Sequence, residues 1–225
     1  TALHDAWDAL NWLRLQGATL GLDTARIAIG GDSAGGTLSA VCALMARDAG
    51  LPVTGDVAVH ALHLYEQDIG YFDPLTRFDP PLRGYTDREA LRLGLAEGTL
   101  SAVVSAHTPR GLDVKRVPFA EAAPGATGIE LLLPLTLAWG EALSLPLRRS
   151  LLPVTSQAAA ILGIEAGQIA VGQRADLCLF DPEASWTVNE ADLRSSGKLT
   201  PFLGRTLQGR VMKTLAGGQL VYERG

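Results

Sequence analysis

Apolar positions in the first fifty residues follow a helical period, stop at glycines and then resume. Ala6, Leu10 and Leu13 share one face of a helix predicted over 5–16, and Gly17 and Gly21 end it. Arg26-Ile27-Ala28-Ile29 predicts a short apolar strand, which Gly30 to Gly36 turn sharply. Residues 37–48 are dense in helix formers and close at Gly50, which predicts a second helix. Further on, the run from Val57 to Leu64 predicts a strand, and Pro74, Pro80 and Pro81 make the next stretch irregular. A helix is expected over 87–95, with Asp87 as its cap and Leu91 and Leu95 on one side. Residues 102–105 read as a buried strand and 109–128 as a Pro/Gly-rich loop, before helical patterns over 129–142 and 147–162. After Gly167 the pattern shortens to strands near 175–180, 185–188 and 209–222. This order predicts an α/β protein with parallel β/α units in the middle and a small β module at the tail.

Composition narrows the function classes. The chain has 225 residues, 47% hydrophobic and 19% charged, with Lys plus Arg 19 against Asp plus Glu 24. Such a chain is globular, and a net charge of -5 without a basic stripe argues against nucleic acid or an anionic membrane as partner. No apolar run reaches the roughly 20 residues of a membrane span. The first residues lack the basic start and apolar stretch of a signal peptide, and residue 1 is Thr, so the chain is expected to begin inside a longer one. Cys42 and Cys178 form no zinc or disulfide pattern, which predicts reduced thiols and a cytoplasmic location.

Two segments carry candidate chemistry. Gly31-Asp32-Ser33-Ala34-Gly35 has the G-x-S-x-G spacing, between an expected strand and an expected helix. Glycines there allow a turn sharp enough to lift a serine hydroxyl clear of a sheet edge, with helix N–H groups nearby for an oxyanion. An ordinary glycine-rich βα turn is the plainer account of the same residues. His60 and His63 invite a metal reading, but at a spacing of three their side chains point to opposite faces of a regular strand. Partly buried core histidines are the plainer account of both.

Residues 5–50, with Gly-Asp-Ser-Ala-Gly-Gly at the turn, resemble the hormone-sensitive-lipase group of α/β-hydrolases, which are carboxylesterases. That resemblance makes Ser33 the nucleophile, yet no histidine follows His107 to serve as its base.

From about Val53 onward the chain resembles the C-terminal half of a dihydroorotase of the amidohydrolase superfamily, nearest the non-catalytic dihydroorotase-like subgroup. The carrying segments are Asp68-Ile69-Gly70-Tyr71-Phe72-Asp73, Pro80-Pro81-Leu82-Arg83, Ser105-Ala106-His107-Thr108-Pro109, Pro124-Gly125-Ala126-Thr127-Gly128, Ala175-Asp176-Leu177-Cys178-Leu179-Phe180 and Gly197-Lys198-Leu199-Thr200-Pro201-Phe202. The resemblance implies a TIM barrel with zinc at the C-terminal strand ends. It places His60 at a zinc-ligand position, with Ala61 where a second histidine would stand. It places Ala106 where active members carry an aspartate, and Asp79, Arg110 and Gly125 at substrate-side positions. With one ligand of a two-metal site remaining, zinc is not expected to be retained.

Together these readings predict an α/β-hydrolase-like fragment over 1–52, a partial TIM barrel over 53–166 and a β module over 167–225. The function expected by ancestry is a dihydroorotase-like hydrolase of cyclic amides in pyrimidine biosynthesis, inactive as this chain alone. A serine carboxylesterase acting through Ser33, and a non-functional chimera of the two, are the alternatives. Aspartate carbamoyltransferase is the partner that the resemblance implies. Self-association is expected as well, because a partial barrel leaves strand edges unpaired.

Overall fold

A computed structural model describes residues 1–31 and 34–225 and divides the chain into two compact units, Thr1–Val53 and Thr54–Gly225. In the first unit, α1 (Ala2–Gln16) and α2 (Ala34–Asp48) lie against each other. Residues 26–29, expected as a strand, form no regular element, and Ile27 and Ile29 are 39% and 42% exposed. A strand exists only through ladder bonds to a neighbour, and among the described residues this segment has none.

The second unit opens with a β/α/β unit. β1 (Asp56–Ala58) pairs in parallel with β2 (Ala102–Val104), and α3 (Tyr85–Glu97) crosses between them. β1 is far shorter than the apolar run 57–64 predicts. Its last ladder pair is Ala58 with Val104; beyond it Val59–Leu62 tightens into a 3₁₀ turn, and Ala106 bends the other chain away at φ 46. Helix α3 begins two residues before the expected start. Gly84 is its N-cap and Asp87 sits inside the first turn, where its carboxylate accepts the Gly84 N–H at 3.1 Å.

The region expected to be helical over 147–162 is split. α4 (Leu132–Ala142) is followed by α5 (Leu147–Leu151), a 3₁₀ turn at Leu152–Val154 and α6 (Ser156–Leu162). Pro153 explains the break, because it lacks the N–H that a continuing helix would need.

The tail is an antiparallel sheet in the order β3–β4–β5, made of Leu177–Thr187, Thr206–Ala216 and Gln219–Glu223. The two strands expected near 175–180 and 185–188 are one strand with an irregular centre. There Asp181 folds its carboxylate onto the N–H groups of Glu183 and Ala184, at 2.9 and 3.2 Å. The run expected as one strand over 209–222 is a hairpin that turns at Gly217 and Gly218. Asp176 holds that turn, accepting the Gly217 N–H at 2.6 Å.

One core runs through this unit. Val57, Leu62, Leu95 and Val103 of the parallel unit, Leu131, Leu135 and Trp139 of the α4 segment, and Val188, Leu193 and Phe202 around the sheet belong to a single buried cluster. β4 lies so close on α4 that a Cβ at Gly209 would stand 2.3 Å from Leu137 Cδ1. The tail sheet is therefore bound to the β/α region through side-chain packing.

Candidate functional site

His60 and Ala106 stand just past the C-terminal ends of the adjacent parallel strands β1 and β2, and both line one cavity. Its volume is about 420 Å³, within the range that holds a small molecule. The wall is chiefly aliphatic, including Ala58, Leu64, Leu82, Leu91 and Val104, with Asp56, Arg83 and Arg88 as its charged members.

Local structure sets each histidine. The 3₁₀ turn after β1 swings His60 against Phe78, ring on ring, with centroids 3.9 Å apart and planes 10° from parallel. Burial pushes the His60 pKa down to about 4, so the ring is neutral near pH 7. His63 faces elsewhere. Its Nε2 donates to the Leu135 carbonyl at 2.8 Å and its ring meets Phe202 edge-on. Burial likewise pushes its pKa down to about 4, against the opposing pull of the Leu135 bond. His63 is a core residue that ties β1 to α4.

Of the other anticipated positions, those that are described do not line this cavity. Ser33 lies outside the described residues. Asp79 is exposed and off the cavity wall, although Pro80, Pro81 and Leu82, which come directly after it, line the cavity. Arg110 donates from Nε to the Pro124 carbonyl at 2.7 Å and thereby pins its own loop. Gly125 is a backbone requirement: at φ 113 it donates its N–H to the Arg77 carbonyl, and a Cβ there would meet Thr108 Cβ at 2.7 Å. The imidazole of His107 accepts the N–H groups of Gly128 and Ile129 at Nδ1, at 3.2 and 3.3 Å, which holds the turn at 128–129.

Sequence reasoning passed over Phe78 and Arg88. Phe78, the neighbour of Asp79 in the chain, covers the face of His60. The Arg88 guanidinium lies over the rings of both Tyr65 and Tyr85 and pairs with Glu89 at 3.0 Å. The i, i+3 spacing of Tyr85 and Arg88 on one helix was the available signal.

Zinc requires about three or four nitrogen, sulfur or oxygen donors converging at roughly 2.0–2.3 Å. Among the described residues no group of three or more His, Cys, Asp and Glu side chains is placed to hold a metal. Beside His60 the cavity offers Ala61 and Ala106, neither of which has a side-chain donor. The described residues do not by themselves fit the zinc that the resemblance implies.

The amidohydrolase family model matches residues 76–221. This chain belongs to the amidohydrolase family. The α/β-hydrolase fold model matches residues 1–77. A dihydroorotase-like protein of Pseudomonas aeruginosa is 43% identical over 178 residues, covering 79% of this chain and 42% of that protein. A dihydroorotase of Anaeromyxobacter sp. is 41% identical over 182 residues, covering 80% of this chain and 42% of that protein. The amidohydrolase chain thus spans about two-fifths of the length of these curated relatives. In fold it matches a D-hydantoinase from Thermus sp. with a TM-score of 0.73 at 22% identity, over 83% of this chain and 43% of the other. An L-hydantoinase from Arthrobacter aurescens gives a TM-score of 0.72 at 23% identity, over 96% of this chain and 55% of the other. No described helix of this amidohydrolase is long and apolar enough to cross a membrane.

Proposed function

We propose that residues 54–225 are the closing β/α units and tail sheet of a dihydroorotase-like barrel, a hydrolase of cyclic amides in pyrimidine biosynthesis by descent. The observation that carries this reading is the placement of His60 and Ala106 past the C-terminal ends of neighbouring parallel strands, around one cavity. That end of such a sheet is where barrel enzymes assemble their chemistry. The identity of about 40% to dihydroorotases supports it.

In this reading the chain alone does not turn over. Opening a cyclic amide needs an activated water and a group that delivers a proton to the leaving nitrogen. Ala106 carries neither a base nor an acid, and the neutral His60 is packed on Phe78. The test is hydrolysis of dihydroorotate by the purified chain, with and without added zinc. No turnover above background is expected. Turnover that disappears in His60→Ala would overturn the reading.

A serine esterase acting through Ser33 is the second reading, supported by the α/β-hydrolase match over 1–77. Its test is hydrolysis of a short p-nitrophenyl ester against a Ser33→Ala control, with equal rates expected. A wild-type rate well above that control, abolished by His60→Ala, would favour the esterase. Background rates in both assays are also what a chimera without activity would give.

The two cysteines are free thiols, which supports a cytoplasmic location. Aspartate carbamoyltransferase is the partner proposed from the dihydroorotase-like resemblance. Self-association is proposed through the tail sheet, whose outer strands expose Leu179, Leu220 and Val221. Sedimentation of the chain, alone and mixed with aspartate carbamoyltransferase, tests both.

A further inference from the structure

The cavity beside His60 has two unlike ends. Asp56, the first residue of β1, lines one of them. At the other, the Glu66 N–H donates to the Arg83 carbonyl at 2.9 Å, and the Arg88 guanidinium donates to the His63 carbonyl at 3.5 Å. Residues 83–88 therefore lie beside residues 63–66, past the C-terminal end of β1. Between the two ends the wall is Ala58, Leu64, Leu91 and Val104, none of which has a side-chain donor or acceptor.

The cations at the far end are not equivalent. Arg88 is committed, because its guanidinium pairs with Glu89 at 3.0 Å and lies over Tyr65 and Tyr85. Arg83 is exposed on the cavity wall, and among the described residues no carboxylate pairs with it. The His60 ring is held by its face on Phe78, which leaves its in-plane nitrogens to the cavity. Arg83 and His60 thus offer a charge and a ring N–H to one end of a ligand whose remainder meets hydrocarbon.

We propose that this cavity binds an aliphatic monocarboxylate, its carboxylate held by Arg83 and His60 and its chain laid along Ala58, Leu91 and Val104. The inference goes beyond the ancestral reaction, since it needs neither a metal nor turnover. A small apolar pocket with a few polar groups at one end suits such a molecule. Each methylene buried against the aliphatic wall contributes about a fourfold gain in affinity. Asp56 sets the selectivity at the other end. A second carboxylate there would meet a like charge, so a dicarboxylate of the same length is disfavoured.

The test is calorimetric titration of the full chain with octanoate, and with hexanoate, octanedioate and dihydroorotate as comparisons. Saturable one-to-one binding of octanoate is expected at or below about 1 mM. Hexanoate and octanedioate should each bind about tenfold more weakly, and Asp56→Asn should narrow the gap between octanoate and octanedioate. Arg83→Gln should weaken octanoate at least fivefold at an unchanged melting temperature. Val104→Trp should abolish binding by filling the cavity, because Val104 lines it and is 38% exposed. No octanoate binding overturns the proposal. So does binding that Arg83→Gln and Val104→Trp both leave unchanged, which would place the ligand on another apolar surface. Dihydroorotate binding more tightly than octanoate also overturns it, because the aliphatic wall would then not select the ligand. Turnover of dihydroorotate, the result that would overturn the proposed function, is a separate readout, so the two failures are distinguishable.

Discussion

The imidazole of His60 lies flat on the ring of Phe78, with centroids 3.9 Å apart. Stacking holds the ring by its face and leaves the in-plane nitrogens unoccupied by it, so what keeps this position from being a metal site is the lack of further converging donors among the described residues. Stacking and burial together make His60 a packing residue with one edge toward the cavity.

Acid sensitivity arises from the two buried histidines. In the unfolded chain both protonate near the ordinary 6.5, but in the folded chain only near about 4. Protons therefore bind the unfolded state preferentially between those values. Stability is full above about pH 6.5, falls as pH drops toward about 4 and levels off below it, by up to about 3 kcal/mol for each group. Urea unfolding followed by tryptophan fluorescence at several pH values checks this, and His63→Phe should flatten part of the slope.

Gly125→Ala should destabilise the second unit by more than about 2 kcal/mol. The added Cβ meets Thr108 at 2.7 Å, and alanine resists a φ of 113. A thermal melt that is unchanged within a degree or so would show that the loop relaxes freely.

Ala106 holds φ 46, a conformation that glycine adopts without penalty. Ala106→Gly is expected to stabilise by roughly 0.5–1 kcal/mol, read as a higher melting temperature. Ala106→Asp is expected to fold, because aspartate tolerates this conformation, and to show no dihydroorotate turnover, because one carboxylate beside His60 is not a metal site. Turnover in that variant would contradict the account of the cavity.

Lys115 is only 4% exposed, and its ammonium donates to the carbonyls of Pro74 and Arg77 at 2.8 and 3.4 Å. Lys115→Met keeps the stem and removes the donors. It should cost about 1–3 kcal/mol by leaving those carbonyls short of a partner. Chemical denaturation of the purified variant measures the loss.

Local pattern by itself determined α1, α2 and α3, because their apolar spacing, helix formers and closing glycines act within a few residues of each other. It also determined the absence of a carboxylate at Ala106 and of a second imidazole at Ala61, since side-chain identity needs no fold. Tertiary structure decided the strands. Residues 26–29 have the composition of a strand and, among the described residues, no ladder partner, whereas 56–58 became one because 102–104 lies beside it. It also decided the histidines: a regular strand would separate His60 and His63 by facing, but the 3₁₀ turn does so instead, sending one ring to Phe78 and the other to the Leu135 carbonyl. The roles of Arg110 and Gly125 were equally out of reach of pattern, because each is defined by a backbone group that only folding brings near: Pro124 for the guanidinium, and Thr108 and Arg77 for the glycine. Hydrophobic period is a property of neighbours in the chain, while strand pairing and side-chain facing are properties of neighbours in space.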